Sequence, residues 1–377
     1  MSKKILTEIR NSGFSLNRLT EMYPEISDMK DIPQNPVYHA EGDVYRHIGL
    51  VCERLPELPD WYALEPEKQE LLFLAAAFHD IGKVSCTKQE DGNWVSPRHT
   101  LIGEKRFRSM VYKEQERFGL TFSQREIAAG LIRYHGLPVW FWTKEKPEFE
   151  LLQAAERMPL QLLYLLSAAD VRGRSGEDTE QLMSSVELFG EYAKELGIWE
   201  KSWTFTDAYT RFQYFHRDGL WRGAALYNDT EFDVYLMAGL PLAGKDSWIE
   251  QNGGDLPMVS LDAIREKMGI PPARKSGQVV HAAIEQARKY LRNRQPFIWN
   301  ATNLLRATRA RLVSLFAGYG ARVHIVYLEV PCDELFRRNQ IRTRRIPENV
   351  LEQMIRKLEV PAPWEGYTVK VLAGEGR

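Results

Sequence analysis

Hydrophobic residues recur at helical spacing through the first half of the chain, and they predict a series of buried helices. One apolar run ends at Phe78 and leads directly into the adjacent residues His79 and Asp80. A second, leucine-rich run leads in the same way to Asp170. Because helices normally end in residues that face water, ligand-type side chains at the ends of apolar helices indicate a buried polar site.

Three more histidines fall on predicted helices. His47 lies on a helix whose apolar residues repeat at helical spacing. The pair Ser96-Pro97 predicts a helix start, which places His99 in the first turn. His135 precedes Gly136 at the predicted end of another helix.

Local signals predict the helix boundaries. Gly82 is expected to end the preceding helix in a left-handed conformation. Gly103, four residues after His99, is expected to allow close approach of two backbones. Ser123 and Glu126 have the spacing of a capping box that opens the helix before His135.

Taken together, metal-type residues recur in mainly helical, apolar surroundings. A single buried histidine is more often a satisfied core residue than a ligand, but a whole set placed this way favours one shared site. Mixed imidazole and carboxylate ligands suit Mn, Fe, Co, Ni or Zn, and two ions bridged by an aspartate would catalyse phosphoester hydrolysis. The set is His47, His79, Asp80, His99, His135 and Asp170.

These residues resemble the HD-domain phosphohydrolases in their order H…HD…H…H…D, over about residues 39–175. The run from Glu41 to His47 and the sequence Leu-Ser-Ala-Ala-Asp170 are similar to HD domains attached to some tRNA nucleotidyltransferases. The resemblance implies an all-helical fold and a metal-dependent phosphatase or phosphodiesterase. It also suggests that Lys83 lies near the scissile phosphate; a surface or helix-cap role is the alternative.

Aromatic residues become dense between about residues 176 and 228, where arginines are interleaved with them. Such a stretch can stack bases and bind phosphates. Packing between two domains is the alternative that we favour, because aromatic rings contribute mainly through buried area. The residues are Trp199, Trp203, Phe205, Tyr209, Phe212, Tyr214, Phe215 and Trp221, with Arg211, Arg217 and Arg222.

The second half opens with a short apolar strand that runs into Gly239, and Gly244 and Lys245 complete the pattern G-x-x-x-x-G-K. Glycines at these positions let backbone N–H groups surround phosphates, and the lysine reaches the terminal phosphates. Asp246 occupies the place of the Ser or Thr whose hydroxyl normally binds Mg²⁺. Either Asp246 or Ser247 is therefore the expected Mg²⁺ ligand.

Polar and basic residues stand at the ends of the later predicted elements. Asp262 and Arg265 are three residues apart at a helix start and share a face, with a surface ion pair as the alternative. A predicted strand ends at Asn300, and Asn303 follows. Five arginines lie within residues 337–345, and their planar guanidinium groups match phosphate oxygens.

This ensemble resembles the 5′-OH polynucleotide kinases over nearly all of residues 231–372. The resemblance makes Asp262 the general base on the acceptor hydroxyl, and it makes Arg338 and Arg342 lid arginines. It assigns binding of the NTP phosphates to Gly239, Gly244, Lys245, Asp246 and Ser247, and binding of the acceptor to Arg265 and Asn303.

The resemblance includes one departure at the expected Mg²⁺ site. Asn300 stands where the kinases often have Asp, while Asp246 stands where a hydroxyl is usual. We hypothesise that the charged ligand has been exchanged between these two positions.

Composition adds limits rather than a function. A chain of 377 residues is expected to form two domains, and 44% hydrophobic with 27% charged residues is typical of a soluble globular protein. The net charge of −1 requires that any nucleic-acid contact come from local basic clusters. Three cysteines without a Cys-x-x-Cys motif argue against a disulfide scaffold. No long apolar segment is present, so we expect a cytoplasmic protein without a membrane partner.

The expected fold is multidomain, α and α/β. It comprises an all-helical HD domain (1–180), an aromatic-rich helical linker (181–230) and a P-loop kinase domain with a parallel sheet (231–377). This arrangement is similar to that of the bacterial HD-Pnk end-healing enzymes. The resemblance implies hydrolysis of 2′,3′-cyclic phosphate or 2′-phosphate ends and phosphorylation of 5′-OH ends, with RNA or DNA ends, ATP or another NTP, Mg²⁺ and a nucleic-acid ligase as partners.

Three alternatives remain open from the sequence. The first half could hydrolyse nucleotides instead of nucleic-acid ends. The second half could phosphorylate a nucleoside or another small molecule. It could also be an ATP- or RNA-binding module without turnover, because Asp246 and Asn300 depart from the usual P-loop pattern.

Overall fold

A computed structural model describes residues 5–176, 178–271 and 277–374 and divides the chain into two compact units, residues 1–203 and 204–377. The first unit is helical, and the second contains a parallel sheet with helices. The predicted multidomain α and α/β fold is confirmed. Among the described residues, no helix combines the length and the apolar character needed to cross a bilayer.

The first unit consists of helices, four short 3₁₀ segments and one antiparallel hairpin. The 3₁₀ segments are Pro24–Met29, Leu55–Glu57, Pro59–Ala63 and Phe141–Thr143, and the hairpin strands are β1 (Lys88–Glu90) and β2 (Asn93–Val95). The helices are α1 (Ile5–Asn11), α2 (Leu16–Met22), α3 (Val44–Arg54), α4 (Pro66–Phe78), α5 (Lys83–Cys86), α6 (His99–Lys113), α7 (Gln115–Phe118), α8 (Phe122–Tyr134), α9 (Leu137–Trp140), α10 (Pro147–Ala155), α11 (Leu160–Arg172) and α12 (Thr179–Glu195).

Helix α4 lies at the centre of this unit. Every residue from Glu70 to Phe78 is buried, and α1, α3, α8 and α11 pack against the helix. A helix that is apolar on all sides is stable only inside a core. The carboxyl end of α4 is therefore also inside, and His79 and Asp80 enter the interior with it.

Two predicted helix starts differ from the structure. Helix α8 is opened by a capping box between Thr121 and Gln124, so the predicted box of Ser123 and Glu126 is wrong. Glu126 is instead bonded to Arg108, which lies on the neighbouring α6. Helix α6 begins at His99, slightly later than Ser96-Pro97 indicated, but His99 does stand in its first turn.

Position 82 requires glycine because of a close backbone contact and not because of the predicted helix stop. Its φ of −67° is right-handed, so the expected left-handed helix stop is wrong. A Cβ on Gly82 would lie 2.1 Å from the carbonyl oxygen of His99 and 2.6 Å from the amide nitrogen of Gly103. The predicted close approach of two backbones at Gly103 is confirmed, and the backbone that approaches Gly103 is that of Gly82.

We expect Gly82→Ala to destabilise the first unit by about 2–3 kcal/mol, because its methyl group would displace backbone atoms of α6. Denaturant unfolding of the purified variant measures this change. Gly49→Ala is the matched control, since a Cβ there meets only a Leu16 side-chain carbon at 4.0 Å and alanine favours a helix. Equal stability of the two variants would contradict the steric argument.

The second unit is built on a five-stranded, fully parallel sheet in the order β4-β5-β3-β6-β7. Its elements are α13 (Ala208–His216), β3 (Phe232–Ala238), α14 (Lys245–Asn252), β4 (Met258–Ser260), α15 (Leu261–Lys267), α16 (Gly277–Arg292), β5 (Phe297–Asn300), α17 (Arg306–Ala317), β6 (Ala321–Glu329), α18 (Cys332–Ile341), α19 (Glu348–Lys357) and β7 (Thr368–Ala373).

The strand order brings separate polar segments to one edge of this sheet. The chain passes from β3 to β4 and β5 on one side and then to β6 on the other, so the order reverses at β3. Ser260 at the end of β4 is the register partner of Asn300 at the end of β5. Ligands of open parallel sheets bind outside the carboxyl ends of the strands at such a reversal.

The segment 181–230, predicted as a helical linker, is divided between the two units. Helix α12 lies in the first unit, and α13 lies in the second. Within the second unit, Phe212 contacts the Tyr367 ring and Phe215 contacts the Trp364 ring. These aromatic side chains therefore contribute to the packing of their own unit.

Candidate functional site

The first unit brings together the six predicted metal ligands, which come from five separate parts of the chain. At one end of the cluster, Nε2 of His47 lies 3.0 Å from Oδ1 of Asp170. Nε2 of His79 lies 3.4 Å from Oδ2 of Asp80 and 4.0 Å from Oδ1 of Asp170. We call these six residues the ligand cluster.

At the other end of the ligand cluster, Asp80 faces two more imidazoles. Its Oδ1 lies 3.5 Å from Nε2 of His99 and 3.9 Å from Nε2 of His135. The two Nε2 atoms are 3.4 Å apart. Ligand atoms about 2.0–2.1 Å from one ion are about 3.0–3.4 Å from each other, so several of these separations match shared coordination.

Three histidines form hydrogen bonds through Nδ1, and these bonds direct the lone pair of each Nε2 into the ligand cluster. His79, His99 and His135 each donate Nδ1–H to a backbone carbonyl three residues earlier, which leaves Nε2 unprotonated in the neutral ring. The acceptors are Ala76, Ser96 and Ile132, at 2.8, 3.0 and 2.9 Å.

Two buried polar atoms at the centre of the cluster lack hydrogen bonds. Among the described residues, Nε2 of His79 and Oδ1 of Asp80 have no hydrogen-bond partner. Buried polar atoms without partners are rare and costly. A divalent cation would satisfy both, and the imidazole–carboxylate donor set fits Mn, Fe, Co, Ni or Zn.

The pKa values of three residues of the ligand cluster favour the protonation states that bind metal. Burial lowers the pKa of His135 to about 3, helped by His79, and burial also lowers the pKa of His99. Burial would raise the pKa of Asp80, but Lys83, His79 and His99 together outweigh this effect and hold that pKa well below its usual range. Asp80 is therefore ionised, and His99 and His135 are neutral, as coordination requires.

Two basic side chains flank the ligand cluster. Lys83 is buried, and its Nζ lies 2.7 Å from Oδ2 of Asp80 and 2.8 Å from Oε1 of Gln34. Nη2 of Arg174 lies 2.6 Å from Oδ2 of Asp170. Each aspartate thus binds a cation through Oδ2 in addition to its contacts with the histidines.

Arg174 and Glu41 lie in the site although the sequence analysis gave them no role. Arg174 could have been found from its spacing of four residues after Asp170, the spacing of an ion pair on a helix, although α11 ends at Arg172. Glu41 is buried with an oxygen 2.9 Å from Nδ1 of His47. It belongs to the run that carries the HD resemblance, but its position in a loop gives no periodic signal.

The second unit has the predicted phosphate loop between β3 and α14. Gly239 has φ +134°, and a Cβ there would lie 2.3 Å from the carbonyl oxygen of Leu328, so only glycine fits. The buried Lys245 donates from Nζ to the carbonyl oxygens of Gly239 and Leu240, at 3.1 and 2.7 Å. Burial lowers the pKa of Lys245 to about 8.

The polar residues at the edge of the sheet face this loop. Nδ2 of Asn300 donates to Oδ1 of Asp246 at 2.8 Å, so the two departures from the usual pattern are in direct contact. The carboxylates of Asp246 and Asp262 both act on the ammonium of Lys245 and oppose the lowering of its pKa. Asp246, Ser247 and Asp262 are exposed and open to a ligand.

The other predicted kinase residues take different positions. Nη1 of Arg338 donates to the carbonyl oxygen of Leu242 in the phosphate loop at 2.9 Å, whereas Arg342 is exposed after α18. Nη1 of Arg265 donates to the carbonyl oxygen of Pro271 at 3.3 Å. Asn303 is buried, and its amide donates to the Met237 carbonyl oxygen at 2.6 Å, so it holds β3 in this conformation.

Comparison with protein families assigns both halves. Residues 43–172 match the HD domain family, and residues 234–361 match a family described as an AAA domain. The chain carries an HD domain followed by a P-loop, kinase-like domain. The first match contains the ligand cluster, and the second contains the phosphate loop and Asn300.

Curated relatives cover less of the chain. It is 30% identical over 168 residues to the "Multifunctional CCA protein" of Hahella chejuensis, which is 42% of this chain and 35% of the relative. The protein of the same name from Methylococcus capsulatus is 27% identical over 167 residues, with the same coverage. That of Thioalkalivibrio sulfidiphilus is 26% identical over 187 residues, 48% of this chain and 42% of the relative. The chain spans about a third to two fifths of the length of these relatives.

Contact between Asn300 and Asp246 makes the exchange hypothesis testable. We expect Asp246→Ser and Asn300→Asp each to lower NTP-dependent phosphoryl transfer at least about tenfold: the first removes the carboxylate, and the second places two carboxylates together. The double variant is expected to recover most of the loss, because it restores one hydroxyl and one carboxylate. Initial rates and Mg²⁺-dependent NTP binding measure this.

Asp255→Ser is the control for this cycle, because Asp255 is an exposed carboxylate of the same unit. It is expected to behave like the parent. Losses that simply add in the double variant, or full activity of Asp246→Ser, would rule out the exchange.

Proposed function

We propose that the protein is a bifunctional enzyme that repairs RNA or DNA ends. Its HD domain hydrolyses 2′,3′-cyclic phosphate and 2′-phosphate ends. Its P-loop domain transfers the γ-phosphate of an NTP to 5′-OH polynucleotide ends. The observation that carries the proposal is the presence of two sites in one chain. The first is a buried imidazole–carboxylate cluster that two cations flank. The second is a phosphate loop with an exposed aspartate near its lysine.

The HD half supports phosphoester hydrolysis through its charges. Divalent ions held by the ligand cluster would lower the pKa of a bound water and polarise phosphoryl oxygens. Lys83 and Arg174 place positive charge beside the two aspartates, where it would attract and orient a phosphate group. Both cations are held by ion pairs, so little reorganisation is needed when substrate binds.

The P-loop half supports phosphoryl transfer to a hydroxyl. Lys245 is positioned to neutralise NTP phosphates, and Arg338 is anchored on the same loop. Asp262 stands at the start of α15, where its carboxylate would accept the proton of the attacking hydroxyl. Mg²⁺ would bind through Asp246 or Ser247 beside the phosphates.

The relatives support a nucleic-acid substrate. They carry the name "Multifunctional CCA protein". Exposed Arg342, Arg344 and Arg345 follow α18, which carries Arg338, and they would add local positive charge near the phosphate loop. A nucleic-acid ligase that joins the repaired ends is the functional partner we propose.

A single substrate tests both activities. We would incubate an RNA that has a 5′-OH and a 2′,3′-cyclic phosphate with ATP and either Mn²⁺ or Mg²⁺, and analyse both termini. The expected products carry a 5′-phosphate and a 2′,3′-diol. The variants Asp80→Asn and Lys245→Ala should separate the two reactions.

Competing acceptors decide the alternatives. A nucleoside phosphorylated in preference to an oligonucleotide would make the second domain a small-molecule kinase, and no transfer to any acceptor would make it a binding module. A nucleoside phosphate hydrolysed in preference to the RNA end would make the first domain a nucleotide hydrolase.

A further inference from the structure

Glu41 is a buried acid that the proposed chemistry does not use. It lies in the loop before α3, and its side chain is only 3% exposed. One carboxylate oxygen, Oε1, lies 2.8 Å from Nδ1 of His39 and 2.9 Å from Nδ1 of His47. The other oxygen accepts the backbone N–H of Ser175 at 3.0 Å.

His47 differs from the other histidines of the ligand cluster in its place on the helix. His79 and His135 follow the last residues of α4 and α8, where backbone carbonyls have no partner within the helix and can accept Nδ1–H. His99 stands at the start of α6 and uses a carbonyl that precedes the helix. His47 is the fourth residue of α3, and its own N–H already bonds the Asp43 carbonyl.

His47 therefore needs a partner from outside its helix, and the carboxylate of Glu41 lies beside its Nδ1. Oε1 of Glu41 lies 2.9 Å from Nδ1 of His47 as an ion-pair contact rather than a hydrogen bond, and Nε2 of His47 is turned toward Asp170 and the rest of the cluster. A carboxylate acceptor also makes an imidazole a stronger ligand than a carbonyl acceptor does.

We propose that Glu41 is a positioning residue for the metal site: its carboxylate fixes the ring of His47 so that Nε2 binds the ion. Its bond to Ser175 ties the same carboxylate to the segment that follows Asp170 and Arg174. Glu41 thus aligns ligands from the beginning and the end of the HD domain. The inference rests on the proposed function only for the use of the metal, since binding is measurable without a substrate.

A third ion held by His39, Glu41 and His47 is the competing interpretation, because their ligand atoms lie close together. The hydrogen bond between Nδ1 of His39 and Oε1 of Glu41, at 2.8 Å, favours a proton at this oxygen. Nδ1 of His47 approaches the same oxygen at 2.9 Å. A metal bound there would displace the proton that His39 shares with Glu41.

Glu41→Gln tests the proposal, because it keeps the shape and removes the charged acceptor. We expect the affinity for Mn²⁺, measured by competition with a chelating indicator, to fall about 10–100-fold. The matched control is Glu104→Gln, a buried carboxylate in the same unit that pairs with Arg108 and Arg157 and does not touch the cluster. Glu104→Gln should lower the unfolding midpoint of the metal-free protein and leave its affinity for Mn²⁺ at the parent level.

Parent-like Mn²⁺ affinity of Glu41→Gln, or an equal loss in Glu104→Gln, would overturn the proposal. If Glu41→Gln does not fold, the parent protein still decides the matter. In Zn²⁺-loaded protein with ¹⁵N-labelled histidine, long-range ¹⁵N–¹H spectra should show His47 protonated at Nδ1 and bound through Nε2. Coordination through Nδ1 would refute the proposal. None of these measurements depends on end repair, so a failure of the proposed function would be recognised separately.

Discussion

Asp80→Asn is expected to abolish phosphoesterase activity on 2′,3′-cyclic phosphate ends and to leave 5′-phosphorylation unchanged. Asp80 directs Oδ1 at two imidazoles and bonds Lys83 through Oδ2. The amide would keep the shape, remove the charge and present an N–H₂ group to a ligand or to Lys83. Since even outer residues of metal sites change activity 10–100-fold, we expect a loss of more than about 100-fold.

The measurement is the initial rate of end hydrolysis at saturating Mn²⁺, together with bound metal per protein. Asp28→Asn is the control, because Asp28 is a carboxylate of the same unit that pairs with Arg106 at the surface. Phosphoesterase activity retained within a few-fold in Asp80→Asn would show that the ligand cluster is not the catalytic centre. A parallel loss of kinase activity would indicate unfolding.

Lys245→Ala is expected to lower the transfer of γ-phosphate to a 5′-OH end by about 10²–10³-fold, the effect of removing one preorganised charge from a transition state. The ammonium is buried within the loop, where it donates to the carbonyl oxygens of Gly239 and Leu240. Hydrolysis of 2′,3′-cyclic phosphate should remain at the parent level. Transfer of labelled phosphate to an oligonucleotide measures the loss.

Lys267→Ala is the matched control for Lys245→Ala. Lys267 is exposed near the end of α15, in the same unit. It should retain parent activity. Undiminished transfer by Lys245→Ala would contradict the assignment of the loop as the donor site. Lost transfer with unchanged NTP binding would show that Lys245 stabilises the transition state and not the bound NTP.

Local patterns predicted the parts of both sites that depend on position along one element. The apolar run before His79 and Asp80 predicted a core helix that leads into a buried polar site, and α4 is buried and leads into these two buried residues. The glycine pattern before Lys245 predicted a loop between a strand and a helix, and β3 and α14 flank it. In each case the signal depends on residues a few positions apart, which periodicity can detect.

Contacts between distant elements could not be predicted in this way. Gly82 has the appearance of a helix stop, but its requirement for glycine comes from the backbone of α6. Asn303 follows the polar end of a strand, but its amide is occupied inside the fold. Ser123 and Glu126 have the spacing of a capping box, yet Glu126 bonds Arg108 of another helix, α6.

The sequence by itself determined the fold class, the two kinds of domain and the residue types of each site, because hydrophobic periodicity and glycine placement act locally. Only the tertiary structure decided that Glu41 lies beside His47, that Arg174 pairs with Asp170, and that Asn300 contacts Asp246. The physical reason is that a hydrogen bond between elements depends on how helices and strands pack, and packing depends on the whole buried surface of a unit rather than on any short pattern.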